Sequence, residues 1–325
     1  KLTDIYLKIK IVIYFILFYF ILLPFNVNAQ KYKNRPEQEL IGEAESLFKS
    51  GNYVSALPLY SQLLSLHPKD PLYSYRFGVC LLYGDRRDMS KPLKYLSDAV
   101  GKLKNENMLY YHLALAYHLN YRFPEAIKYY EKYAETAKSD KSVQELANYC
   151  IKLCRNGMSL LTDIKDLYVI MKKEVNIKDF YRSYDISNFG GSFLLKPDIF
   201  KTRLDKKRKD NSIVFLSNYN STVYFSSYGK KGETGKDIYR SIKSPDGKWS
   251  KPERLSNVIN TVYDEDYPYV LPDGKTLYFC SKGHNSMGGY DIFKSIWDTI
   301  TNEWSTPQNL DFAINTPFDD ILFVT

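Results

Sequence analysis

One segment of the chain occurs nearly twice, and that repetition limits the available folds more than any single motif. The later copy carries Leu271-Pro-Asp-Gly-Lys-Thr-Leu-Tyr-Phe279 and runs to Ser281. A Gly-rich loop follows, then Asp291-Ile-Phe-Lys-Ser295. The earlier copy carries Val214-Phe-Leu216 and Thr222-Val-Tyr-Phe-Ser226, a Gly-rich loop, then Asp237-Ile-Tyr-Arg-Ser241. Trp249, Pro252 and Leu255 recur as Trp304, Pro307 and Leu310, and Ile-Asn-Thr stands at both 259–261 and 314–316. A fixed period of about 54 residues is the mark of a repeat architecture such as a propeller. Each copy reads as four short antiparallel strands, rich in β-branched and aromatic residues. Asp273-Gly274 and Pro245-Asp-Gly-Lys-Trp249 supply the turn chemistry.

The region from Glu37 to about Asn156 has helical periodicity instead. Gly51, Tyr53, Ala56, Tyr60 and Pro68 sit where a 34-residue helix-pair repeat places its turn, contact and terminal residues. Phe123, Ala126 and Tyr130 repeat the pattern, and Gly78, Tyr83 and Ala99 mark a weaker copy. This region resembles a tetratricopeptide array of about three repeats with a capping helix at 141–156. Small residues at 56, 78, 114 and 126 let paired helices approach closely. The resemblance implies a concave partner-binding groove formed by Tyr75, Val79, Leu82, Tyr111, Leu115 and His118, with His118 solvated.

The expected organisation is therefore multidomain, α then β. Residues 1–29 read as a signal peptide, and 30–157 as the helical solenoid. Residues 158–210 form a transitional segment or linker that could supply the first propeller strands; a last helix is expected over 160–173 and strand-like sequence starts at 175–177. Residues 211–325 read as about two propeller blades and the start of a third. The signal reading rests on Lys1, Lys8 and Lys10, the apolar run Ile11–Leu23 and Val27-Asn-Ala29 before Gln30. Export raises the question of Cys80, Cys150, Cys154 and Cys280, which read as buried thiols, with a disulfide as the alternative.

The charge balance is +8, concentrated in Lys201-Thr-Arg-Leu-Asp-Lys-Lys-Arg-Lys209. That run lacks interleaved aromatics, so it reads as a solvated loop and nucleic acid is not an expected partner. No metal or other cofactor is expected. The carboxylates Asp264-Glu-Asp266 and Asp319-Asp320 recur at one repeat position, which suits structure better than acid–base catalysis or calcium binding. The loop 282–289 is Gly-rich but lacks the strand–loop–helix setting of a phosphate loop.

Residues 271–279 with Gly288-Gly-Tyr-Asp-Ile-Phe293 resemble the repeat of TolB-like, WD-type β-propellers. Signal, helical array and propeller together resemble a family of exported envelope proteins of Gram-negative bacteria. Members commonly carry a C-terminal OmpA-type peptidoglycan-binding domain, and some serve in type IX secretion. That resemblance implies a non-enzymatic, periplasmic, outer-membrane-associated scaffold. Its partners would be envelope proteins or peptide segments, with peptidoglycan reached through a further domain of a longer parent chain. The alternatives are the propeller part of a hydrolase whose catalytic domain lies beyond this fragment, or a glycan- or peptide-sensing propeller using exposed Trp249 and Trp304.

Overall fold

The computed structural model describes residues 36–85, 88–103, 106–162, 167–184, 186, 191–217, 221–232 and 234–325. The expected signal peptide lies outside them. No helix among the described residues is long and apolar enough to cross a membrane. The chain divides into two compact units, with the boundary after Leu109.

The first unit contains α1 (Glu37–Lys49), α2 (Tyr53–Leu66), α3 (Pro71–Gly84) and α4 (Ser90–Ala99). Their starts follow from local chemistry. Asn52 caps α2 by accepting the Ser55 amide. Asp70 accepts the Leu72 and Tyr73 amides, with Pro71 pre-set for the first helical turn. Leu40, Ala44, Ala56, Leu59, Tyr60, Leu63 and Cys80 form the core of this unit. A Cβ on Gly78 would lie 2.9 Å from the Leu96 side chain, so the α3–α4 contact requires a residue without one. The four helices pack in sequence as antiparallel hairpins.

In the second unit, α5 (Asn107–Leu119, which begins just before the boundary), α6 (Phe123–Thr136) and α7 (Lys141–Leu160) are followed by two sheets. Gly157 repeats the close-approach device, since a Cβ there would meet the Phe123 ring at 2.5 Å. The first sheet runs in the order β1 (Gly191–Leu195), β2 (Ile213–Ser217), β3 (Thr222–Ser227), β4 (Asp237–Ile242), β5 (Glu253–Arg254). The second contains β6 (Glu265–Val270), β7 (Thr276–Ser281), β8 (Asp291–Asp298) and β10 (Gln308–Asn309), with β9 (Glu303–Trp304) pairing β8. All neighbours are antiparallel. Register repeats across the copies: Ser227 faces Asp237 as Ser281 faces Asp291. Ile238, Leu255 and Ile259 pack with Val270, Leu277, Phe279, Phe293 and Trp304, joining the sheets through one apolar cluster. Every residue of β7 is buried, and Tyr278 also meets Phe323 beyond the sheet.

Three expectations change. The helix expected over 160–173 stops at Leu160, and residues 167–173 carry no regular structure. Leu167-Tyr-Val-Ile-Met171 lies exposed, so no packed face rewards helix formation there. Residues 175–177 form no strand. The segment up to 210 does contribute one strand, in that β1 pairs with β2 from Gly191↔Ser217 to Leu195↔Ile213. The expected solvated loop at 201–209 contains a short helix, Arg203–Lys207, closed by a Thr202–Asp205 capping box.

Candidate partner-binding surfaces

The recurrent polar residues are spent on backbone. Asn260 accepts the Ile238 amide at 2.7 Å and donates to the Ile238 and Leu255 carbonyls. Asn315 repeats this on Ile292, accepting its amide at 2.7 Å and donating to its carbonyl. Glu265 accepts the Thr261 amide and the Thr261 and Ser281 hydroxyls, and Asp320 holds Thr316 in the same way. Asp264 accepts the Lys236 amide, and Asp319 the Tyr290 amide. The side chains therefore fasten each connecting segment to the sheet before it. Burial raises Glu265 to about 7 and Asp320 to about 6, against hydrogen bonds that favour ionisation. Among the described residues, no group of three or more His, Cys, Asp and Glu could hold a metal ion.

The Ile-Asn-Thr recurrence could have disclosed this role from sequence. A second network could not have been read that way. Lys196 Nζ lies 3.2 Å from Asp205 and 2.6 Å from Asp210 and donates to the Ser226 carbonyl. Lys236 Nζ lies 2.8 Å from Asp210 and 2.7 Å from Asp266. Burial works against the charged form of Asp210, but the two ammonium groups hold it down to about 2. Burial likewise opposes the Lys236 charge, and Asp266 and Asp210 raise it well above the lysine range. Desolvated charges compensated on all sides suit a structural core.

The expected groove residues have different fates. Tyr75, Val79 and Leu82 are 3%, 0% and 1% exposed, so they present almost no surface. Tyr111 and Leu115 are half-buried, and Tyr111 packs on Tyr130 and Tyr133. His118 is buried rather than solvated. Its Nε2 donates to the Met287 carbonyl at 2.7 Å, and burial lowers its pKa. Tyr149 donates to the Lys282 carbonyl and Asn156 to the Ser286 carbonyl, while Tyr149 stacks on Tyr263. The helices thus cap the loop 282–289.

All four cysteines are free and buried. Burial pushes the Cys80 thiol to about 12 and the Cys150 thiol to about 11, which keeps both unreactive. Trp304, which only the glycan-sensing alternative placed on the surface, lies in the inter-sheet cluster, as its regular recurrence favours. Trp249 is half-buried and edge-on to Phe200. Packing uses both rings.

An open cleft of about 810 Å3 lies beside the first sheet, bordered by Tyr228, Lys230, Lys231, Lys251 and Arg254.

No family model matches the chain. It is similar to the mouse DnaJ homolog subfamily C member 7, at 28% identity over 159 residues. The match takes in 47% of this chain and 29% of that relative, so the chain spans less than a third of the relative's length. Among solved structures, it is similar to the Sgt2 TPR domain from Aspergillus fumigatus at 15% identity and a TM-score of 0.32. That match covers 43% of this chain and 91% of that one.

Proposed function

We propose that this chain is a non-enzymatic protein-interaction scaffold of the cell envelope, exported by its N-terminal segment and acting at the periplasmic side of the outer membrane. The helical array holds a segment of one partner, and the loops of the repeated sheets, as blades of a β-propeller, present a second surface. In a longer parent chain, an OmpA-type domain would tether this platform to peptidoglycan, near protein secretion of the type IX kind.

One observation carries the non-enzymatic reading. The carboxylates that a catalytic site would use are committed, at matching repeat positions, to holding backbone. Glu265 on Thr261 and Asp320 on Thr316 are the clearest pair. A general acid or base must instead reach a substrate proton. The helical hairpins support the interaction reading, because stacked helix pairs build extended binding surfaces.

The test is fractionation combined with site-specific photo-crosslinking from Leu115 and from Lys251. The expected result is processing after Ala29, recovery with the outer membrane, and discrete crosslinked partners that differ between the two positions. Cytoplasmic retention of an unprocessed chain would overturn the location. Turnover of an envelope substrate by the purified chain would overturn the scaffold.

A further inference from the structure

The β3–β4 loop and the β7–β8 loop have the same length, with 228–236 corresponding to 282–290. Their surroundings do not match. In the second copy, helix side chains bond the carbonyls of Lys282, Ser286 and Met287. In the first copy, the loop borders the open cleft.

The chemistry of that cleft is specific to the first copy. Lys230, Lys231, Lys251 and Arg254 border it. The corresponding residues of the second copy are His284, Asn285, Thr306 and Asn309. Lys201 also lines the cleft but is paired with Asp198 at 3.4 Å, while Asp237 is the one carboxylate among the lining residues. Asp237 is already paired with Arg254 at 2.7 Å. Glu233, also in the loop, lies outside the described residues.

The cleft is preorganised. Asp205, locked in the buried lysine network, accepts the Tyr228 amide at 2.9 Å and the Ser227 hydroxyl at 2.7 Å. Ser227 Oγ in turn accepts the Gly229 amide. Gly229 has φ of 62° and lies against the Tyr239 hydroxyl, where a Cβ would come within 2.6 Å. Binding here would therefore cost little loop ordering.

We propose that this cleft binds an acidic peptide segment of a partner protein. The inference deepens the second surface of the scaffold reading and rests on it, but it does not depend on the helical array. A peptide fits better than a lone phosphate for two reasons. The cations come from three separate chain segments, with the rings of Phe200 and Tyr228 and the ring of Pro252 among the lining. The Tyr228 and Gly229 amides are already bonded inward, so they do not form the outward cradle that phosphate sites use. Cations distributed over an apolar floor suit several spaced carboxylates and give salt-sensitive association.

The experiment is fluorescence anisotropy with labelled hexaglutamate and the whole chain, with hexaglutamine, inorganic phosphate and a single-stranded oligonucleotide as comparison probes. Hexaglutamate should bind, weaken as salt rises, and lose at least fivefold in affinity in Lys230→His/Lys231→Asn/Lys251→Thr. That variant installs the residues of the second copy and should keep its thermal midpoint. If it fails to fold, the exposed Lys251→Glu should still weaken binding. Unchanged affinity in folded variants, no binding by wild type, full displacement by phosphate, or tighter binding of the oligonucleotide would each overturn the proposal. No hexaglutamate binding by the wild-type chain, with crosslinking from Leu115 intact, would sink this site and leave the helical surface standing.

Discussion

The first and second sheets share a backbone plan and differ in how they compensate buried charge. In the first, Asp237 meets the Arg254 guanidinium at 2.7 Å. In the second, Asp291 Oδ2 meets only neutral donors, the Met287 amide and Asn309 Nδ2. Burial then raises Asp291 to about 7. Lys236 of the first sheet anchors two aspartates, and its counterpart Tyr290 offers its backbone amide to Asp319. A repeat can thus hold strand order and connecting segments constant while Asp237 gains a guanidinium partner and Asp291 is left to neutral donors. The first copy is also the one with the open basic cleft.

The largest break in this comparison is Lys236→Met. It strands Asp266 in a dry interior and removes one of the two ammonium groups beside Asp210, and should cost about 3–5 kcal/mol. Tyr290→Phe, at the same repeat position, should cost well under that in chemical denaturation. Equal costs would mean that the two sheets are stabilised alike.

Next in size is the pH response. The raised carboxyls Glu265, Asp291 and Asp320 hold protons in the native chain that the unfolded chain releases. Their contribution is complete below about pH 4 and is lost as pH rises through 6 to 7. Stability should fall across that window by up to about 1.4 kcal/mol per pH unit per group. Asp291→Asn should remove one such share of the slope, measured by denaturation at stepped pH. A slope unchanged by that substitution would remove Asp291 from the explanation. The lowered Asp210 acts in the opposite sense, and its contribution is lost as pH falls towards 2.

Arg254→Asn, which gives the first copy the residue of the second, should cost about 1–3 kcal/mol by leaving Asp237 without its charged donor. Smaller again is Ser241→Ala. Its hydroxyl donates to the Ser250 carbonyl, as Ser295 does to Ser305. Loss of either should cost about 1 kcal/mol, equally in both sheets.

Periodicity carried much of this fold on its face. Helix pairs followed from Ala56, Gly78 and Ala126, and the strand order followed from the recurring Tyr-Phe and Asp-Ile runs. Turns such as Asp273-Gly274 were legible because positive φ demands glycine: Gly274 adopts 67°. Burial was harder to read. Val79 and His118 share a helix period with groove positions, yet which face a helix buries depends on neighbours far along the chain. His118 finds Met287, 169 residues away. The lysine network joins residues 196, 205, 210, 236 and 266, which no local spacing connects. The basic cleft is not legible in the sequence, where only the run at 201–209 concentrates charge. The cleft instead collects charges from separate loops.

The central claim is that the recurrent polar residues are fasteners, identical in role across both copies. Hydrogen exchange at the Ile238 and Ile292 amides, in Asn260→Ala and Asn315→Ala chains, tests it most directly. Each substitution should speed exchange at its own isoleucine by roughly tenfold, as expected for losing a buried hydrogen bond of about 1.4 kcal/mol, and leave hexaglutamate affinity unchanged. Unaltered exchange at both amides, with loss of hexaglutamate binding, would contradict it and make these residues part of a binding site.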